Sequence, residues 1–269
     1  EKVGWGGAHL SFGFTLLGLV RLRTGKLAEA ERCAREGVRL AERVGDRVPA
    51  RWYAVGLLVD VLLSRGCPQE ALRVARTYDF APPYPNAVVF PDAQTVYGRL
   101  LLAHGLRREA EAQLAAAGER LEAKGVHNPT WCPWAGHLAL AVAEEDPRRA
   151  RALTARMLRR AERFGTPTAI GEALGFSAAV AEAGQALPLR ERAVETLRRS
   201  PSRHLYAEAL IELGAELGRT GRTDRAAGLL TEGIELADRC GAGRLAERGR
   251  AERAGMTATT ARSHGSRPS

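Results

Sequence analysis

The sequence predicts an all-α fold, a superhelical solenoid of about six antiparallel helix hairpins, and two series of glycines lead to that prediction. The first series recurs at intervals of about 40 residues or a multiple of 40, and a small residue follows most of its members five positions later. The second series lies about 20 residues further on. A fixed period in this range is typical of helical solenoids, in which each unit buries its apolar face only against its neighbours. The first series comprises Gly25, Gly66, Gly105, Gly184 and Gly221, with Glu145 in the place of the missing glycine.

Each period accommodates two helices joined by a short turn. Interruptions of the apolar periodicity place the ends of the first helices before Gly25, Gly66, Gly105, Glu145, Gly184 and Gly221. The second helices are expected to begin near Leu27, Pro68, Arg107, Pro147, Pro188 and Asp224. Proline suits such a start, because the first turn of a helix needs no backbone N–H donor.

The sixth hairpin shows the pattern most clearly. Over residues 204–219, apolar side chains recur at steps of three and four residues and form one stripe along a helix. A second stripe follows Asp224 and ends at Gly241, a residue that adopts the left-handed conformation after a helix without steric cost. Small residues at Gly214, Ala226 and Gly233 allow the two backbones to approach closely.

Two segments depart from the period. Residues 79–91 contain four prolines among aromatic residues and predict a stiff loop between repeats. Residues 256–269 are rich in Thr, Ser, Gly and Arg, which predicts a disordered tail or linker. We therefore expect a helical-repeat domain over residues 1–255. The short apolar run 87–90 precedes a proline and is too short to predict a strand.

The formal charge of +9 consists almost entirely of arginines that alternate with acidic residues. Such alternation is typical of solvated helix faces rather than of a nucleic-acid groove, so we expect no specific nucleic-acid binding by this fragment. No apolar run approaches the roughly 18 residues of a membrane span, and no signal peptide is recognisable. The expectation is a cytoplasmic protein that does not bind membranes.

No motif for catalysis or cofactor binding is present. Gly25 and Lys26 do not form a phosphate-binding loop, because Leu27 stands where Ser or Thr is required and Val20 where the first glycine is. His127, Cys132 and His137 match no common zinc spacing. We therefore expect no enzymatic activity, no cofactor and no metal site.

The glycine at the turn and the small residue five positions later resemble the tetratricopeptide repeat, lengthened beyond its usual period. Several segments in the second half carry a further resemblance: GERLEAKGVHNP (118–129), WCPW (131–134), SPSR (200–203), ELG (212–214) and ADRCGA (237–242). Together they resemble the large ATP-binding LuxR-type transcriptional regulators of actinobacteria. The resemblance extends over roughly residues 98–254 and more loosely over the first hundred.

Membership of that family would imply a long protein with a nucleotide-binding module, a helical-repeat sensor arm and a C-terminal helix-turn-helix. The chain begins at Glu1 without an initiator methionine, so we expect a fragment or a processed product. The expected function is a non-catalytic arm that binds a protein partner, another protomer or a small effector. DNA binding would need a domain absent here. The alternatives are a freestanding tetratricopeptide-like scaffold and, with least support, an enzyme built on a helical solenoid.

The resemblance to tetratricopeptide repeats implies that the first helices line a concave wall, and matching positions on them are the candidate binding residues. Asp60 and Arg99 are the most informative, since charged side chains seldom fill a core. We expect Arg99→Glu to weaken binding with little change in melting temperature. The alternative is that these positions pack between repeats. The candidates are Phe12, Leu19, Tyr53, Asp60, Asp92 and Arg99 on the wall, Tyr84 and Phe90 in the loop, and Trp131 and Trp134 between hairpins.

Overall fold

A computed structural model describes residues 4–44, 50–84 and 91–264, with side chains over 6–43, 50–84 and 91–256. Within those ranges the chain forms thirteen helices and no strand. The first helices of the six hairpins are α1 (Gly4–Arg23), α3 (Ala50–Ser64), α5 (Ala93–Ala103), α7 (Trp134–Val142), α9 (Pro167–Ala179) and α11 (Arg203–Arg219). The second helices are α2 (Leu27–Val44), α4 (Pro68–Thr77), α6 (Arg107–Ala123), α8 (Pro147–Phe164), α10 (Ala186–Arg198) and α12 (Thr223–Cys240), and α13 (Gly243–His264) follows the last hairpin.

These helices confirm the predicted all-α solenoid of six hairpins. Each first helix packs against the second helix of its own hairpin, and α13 covers the end of the last hairpin by packing on α11 and α12. The five glycines of the first series all have φ between +75° and +84° and lie in the turns. At the fourth turn, where the glycine is missing, Asp146 is the N-cap of α8. Its carboxylate accepts a hydrogen bond from the Arg149 backbone N–H at 2.9 Å.

Small residues bring the paired helices together. The alanines five positions after the turns are completely buried: Ala30, Ala71, Ala110 and Ala226 after glycines, and Ala150 after Glu145. Glycines of the first helices receive a leucine of the partner helix: Leu114 packs onto Gly98, Leu197 onto Gly171 and Leu230 onto Gly214. A Cβ atom on any of these glycines would lie 2.7 Å or less from the leucine side chain. Close packing of the two helices in these hairpins therefore depends on the absence of a side chain at each glycine.

The solenoid closes on itself, because its first two turns contact the last hairpin and α13. The turn at Gly25 lies against the backbone of Arg203 and His204, where α11 begins. The turn at Gly66 lies against the side chain of Arg244 in α13. The Arg65 guanidinium donates a hydrogen bond to the Gly241 carbonyl at 3.2 Å. Buried side chains of the first and last hairpins consequently belong to one continuous hydrophobic core.

The two irregular segments behave differently. Residues 78–84 and 91–92 are not helical, in line with the predicted loop, while residues 85–90 lie outside the described part of the chain. Helix α13 extends to His264, into the segment that the composition predicted to be disordered. Extending an existing helix costs far less than starting one, and Ala and Arg in this segment favour the helical state. The domain boundary at residue 255 stays a prediction.

We expect Gly66→Ala to destabilise the protein more than Gly105→Ala. Both glycines have a left-handed backbone, with φ of +77° and +75°, so alanine strains both alike. A Cβ atom at Gly66 would lie 2.3 Å from Cβ of Arg244, whereas nothing lies within 4 Å of one at Gly105. Gly105→Ala should therefore cost about 1–2 kcal/mol of unfolding free energy, and Gly66→Ala a further 1–3 kcal/mol from overpacking. Urea unfolding measures both, and equal losses would show that the turn does not contact α13 in solution.

Candidate functional site

A cavity of about 900 Å³ lies at the centre of the closed solenoid, and all six hairpins contribute to its wall. Pockets of roughly 300–1,000 Å³ are the usual size for small-molecule sites. Part of its wall also comes from α10 and α13. One residue from each first helix illustrates the arrangement: Leu22, Leu63, Arg99, His137, Glu172 and Glu208.

Arg23, the last residue of α1, faces this cavity without a partner. Its Nε is buried, and no hydrogen-bond acceptor or ion-pair carboxylate contacts the guanidinium among the described residues. An unsatisfied buried N–H costs roughly 1–3 kcal/mol. Arg23 is therefore a cation of the cavity wall whose charge no neighbour neutralises by direct contact.

Arg99 of α5 is a different kind of cation, because it forms an ion pair with Asp60 of α3. The Asp60 side chain is only 3% exposed, and that of Arg99 is 23% exposed. Asp60 therefore lies behind Arg99 as its counter-ion. This pair joins the second and third hairpins and presents the guanidinium to the cavity.

Two carboxyl groups, Glu172 of α9 and Glu208 of α11, face the cavity without a hydrogen bond or ion pair within the described part of the chain. Burial raises the pKa of Glu172 to about 7, against the opposing effect of the Arg23 charge. Burial also raises the pKa of Glu208, and the neighbouring Glu212 carboxylate adds to that effect. Glu172 is half-buried and Glu208 is exposed, and both line the cavity.

Two histidines complete the polar wall. Burial lowers the pKa of His204 to about 3, and burial and the charges of Arg99 and Arg23 lower that of His137 well below its usual range. Both rings are therefore neutral at pH 7. His137 contacts the edge of the Phe176 ring, with centroids 5.0 Å apart. Gly136 makes room for this ring, because a Cβ atom there would lie 2.5 Å from it.

Some of the remaining charges that line the cavity are paired, whereas Arg244 and Glu247 of α13 are not, within the residues that the structure describes. Glu212 accepts hydrogen bonds from Arg190 at 2.7 Å and from Arg248 at 2.5 Å. This network ties α10 and α13 to α11. The cavity wall therefore combines these ion pairs with the unpaired Arg23, Glu172 and Glu208 and with the exposed Arg244 and Glu247.

The structure brings few of the sequence-predicted residues to this cavity. Arg99 lines it, Asp60 supports Arg99, and Leu19 lies in the hydrophobic core. Asp92 caps α5 and forms an ion pair with Arg120. Phe12 contacts Tyr53 edge to face, with ring centroids 5.6 Å apart.

The predicted aromatic residues lie elsewhere. Tyr84 packs on Trp52, with centroids 5.7 Å apart, and Phe90 lies outside the described residues. Trp134 is buried against Gly118, and the Arg156 guanidinium lies 5.3 Å from its ring centroid. Trp131 is 41% exposed. These residues do not form one site with Arg99.

Sequence reasoning missed Arg23, Glu172 and His204 and assigned His137 only to a helix face. The sequence did contain a signal for Glu172 and His137. Glu172 is the single charged residue of α9, and His137 is the single titratable residue of α7, whereas the other residues of these helices are apolar, small or hydroxylated. An isolated polar residue in such a helix indicates a buried partner or a cavity.

No group of three or more potential metal ligands occurs among the described residues. None of the helices in this part of the chain is long and apolar enough to span a membrane.

Comparisons with known proteins show the fold. No protein-family profile matches the chain, and no curated protein matches it by sequence. The chain is similar in structure to BtubC (BKLC) from P. vanneervenii, with a TM-score of 0.51 and 17% identity over 79% of this chain and 90% of that one. It is also similar to a signal transduction ATPase with numerous domains (STAND) from Pyrococcus horikoshii, which has a tetratricopeptide repeat sensor.

For the STAND protein the TM-score is 0.56 and the identity 13%, over 90% of this chain. The match spans 37% of that longer protein. A solved structure with a tetratricopeptide repeat sensor thus supports a helical-repeat fold, at an identity too low to carry a function across.

We expect Arg99→Glu to destabilise the fold, in contrast to the small effect anticipated from the sequence. The substitution leaves the buried Asp60 carboxylate unpaired beside a second carboxylate, and breaking such a buried pair costs about 3–5 kcal/mol. Arg108→Glu is the matched control, because Arg108 is 87% exposed and its pair with Glu145 lies on the surface. The control should show no measurable loss in chemical unfolding. Equal stability of the two variants would contradict the buried ion pair.

Glu172→Gln should change how stability depends on pH. The unfolded glutamate loses its proton near pH 4.3, whereas the folded one keeps it until about pH 7. The folded state binds more protons in this window, so the parent loses stability as pH rises through it. The unfolding free energy of the variant minus that of the parent should rise as the pH increases from the pKa of the unfolded glutamate to that of the folded one. At higher pH this difference should level off. The histidines contribute equally to the pH dependence of both proteins, so their effect cancels in this difference. A difference in unfolding free energy that does not change with pH would contradict the raised pKa of Glu172.

Proposed function

We propose that the chain is the non-catalytic sensor and interaction arm of a LuxR-type transcriptional regulator. In this proposal, binding of an effector or a protein partner to the arm controls the activation of a gene cluster. Three lines support the proposal: the resemblance of residues 98–254 to those regulators, the repeat fold, and the structural likeness to a STAND protein with a tetratricopeptide repeat sensor. The arm makes no sequence-specific DNA contact itself and acts inside the cell.

The observation that carries the proposal is the shared cavity. Because every hairpin contributes to its wall, an occupant can contact hairpins that are distant in the chain. The contacts of Gly25 and Gly66 with the last hairpin and α13 close the same ring. An occupant that favours the closed form shifts the equilibrium between closed and open arrangements by its difference in affinity for the two. Such coupling between a binding site and the ends of the arm is what a sensor requires.

An exposed apolar stripe on α1 supports the interaction role. Leu10, Leu17 and Val20 are 58%, 43% and 58% exposed, and the helical steps of seven and three residues place them on one face. Phe12 and Leu16 extend the apolar surface, at 43% and 41% exposure. Contiguous apolar surface of this kind marks contact sites for proteins. The stripe is separate from the cavity and could bind a partner while the cavity is occupied.

Transcript profiling tests the regulatory role. The chromosomal gene is replaced by a deletion, by the stripe variant Leu17→Glu with Val20→Glu, or by the surface control Arg108→Gln. We expect the deletion and the stripe variant to change the transcripts of one contiguous gene cluster several-fold, at equal protein amounts for the variants, and the control to change none. An unchanged transcriptome in the deletion strain would exclude the regulator and favour a freestanding scaffold, whose loss would instead disperse a co-purifying complex.

A further inference from the structure

Arg23 and Glu172 are an unpaired cation and an unpaired carboxyl group that line the same cavity and do not touch. Of all the charges that act on Glu172, that of Arg23 opposes the effect of burial on the Glu172 pKa most. No ion pair or hydrogen bond joins the two side chains. A space therefore separates the guanidinium from the carboxyl group inside the protein.

Other half-buried cations of the chain contact a carboxylate directly. Arg99 contacts Asp60, Arg120 contacts Asp92, and Arg190 lies 2.7 Å from Glu212. A buried charge without a partner is costly, whereas the same group becomes favourable when a ligand of opposite charge occupies the space. Arg23 and Glu172 thus have the chemistry of ligand-binding groups rather than of structural ones.

We propose that the central cavity binds a small zwitterion, whose carboxylate pairs with Arg23, whose ammonium group pairs with Glu172 and whose apolar portion packs on Phe176. This inference rests on the proposed sensor function and names the class of its effector. The guanidinium matches the planar geometry of a carboxylate. Glu172 pairs with the ammonium group in its ionised form. The bound cation therefore favours loss of the proton from the Glu172 carboxyl group.

The apolar part of the wall fits the third element of this ligand. Phe176 turns its ring into the cavity between His137 and the space left by Gly136. Leu140 and Leu197 line the cavity as well. The neutral histidines add no charge that would repel either end of the ligand. An amino acid with an apolar or aromatic side chain satisfies all of these groups together.

Calorimetry and thermal shift with defined probes test the inference on the whole chain. The panel consists of the twenty standard L-amino acids and two matched sets: phenylalanine with 3-phenylpropionate and 2-phenylethylamine, and leucine with 4-methylpentanoate and 3-methylbutylamine. Each set removes the ammonium group or the carboxylate and keeps the apolar portion. We expect at least one apolar amino acid to bind, and its acid and amine analogues to bind at least about tenfold more weakly.

Two variants assign the ends of the ligand. Arg23→Gln should weaken binding of the amino acid at least about tenfold and leave that of the amine unchanged. Glu172→Gln should weaken binding of the amino acid and leave that of the acid unchanged. Arg21→Gln is the matched control on α1, because Arg21 pairs with Glu29 at 3.2 Å outside the cavity, and it should bind like the parent. Circular dichroism checks that each variant folds.

Three results would overturn the zwitterion: no amino acid binds at concentrations up to about 10 mM, an analogue binds as tightly as its amino acid, or both cavity variants bind like the parent. Any of them would leave the regulatory role standing, because transcript profiling reads that role without a ligand. Binding of a zwitterion together with an unchanged transcriptome in the deletion strain would have the opposite meaning. The site would then be real and the regulator proposal wrong.

Discussion

The contact between the two ends of the solenoid is the interaction on which the rest of the structure depends. A row of stacked hairpins has only neighbour contacts and leaves its concave face open to water. Here the turns at Gly25 and Gly66 lie against the start of α11 and against α13, and the concave face becomes the wall of a deep, partly open cavity. The protein around this cavity raises the pKa of Glu172 and lowers that of His204. Closure of the ring therefore contributes to the electrostatics of the cavity.

Glycine makes that closure possible in two ways. At Gly25 the left-handed backbone turns the chain between α1 and α2, and the missing side chain lets the turn approach the His204 backbone N–H, with a Cβ position only 2.8 Å away. Gly221 has the same conformation with nothing within 4 Å of its Cβ position. The turn conformation therefore recurs in every unit that has a glycine, whereas close approach is confined to units at the meeting ends. The repeat pattern in the sequence therefore predicts the left-handed turns but not which turns are approached closely by another segment.

This difference explains how much the sequence could predict. Turn glycines, proline starts and alanines five positions on are local signals with a common period, and they predicted all six hairpins to within a few residues. The cavity wall results from contacts between hairpins distant in the chain, such as the turn after α1 with the start of α11, and no local period encodes these. Aligning each unit to its turn placed Arg99 on the wall but passed over Arg23. Charged residues isolated in apolar helices, such as Glu172, were the signal that periodicity alone did not use.

The charged residues of the solenoid differ between its exposed surface and its central cavity. Between neighbouring hairpins, ion pairs such as Arg107 with Glu144 and Arg149 with Glu111 cross exposed surfaces, where they add little stability and serve mainly register. Inside the ring, Arg99 and Asp60 pair at low exposure, and their separation would be costly. Arg23 and Glu172 belong to neither class, because they line the cavity and are unpaired. Unpaired charges in such a site oppose folding of the empty protein. A ligand that pairs with them only in the folded state stabilises that state by an amount that rises with the ratio of its free concentration to its Kd. If the ligand also binds the closed ring more tightly than an open one, as the sensor proposal requires, occupancy of the cavity favours contact between the two ends of the solenoid.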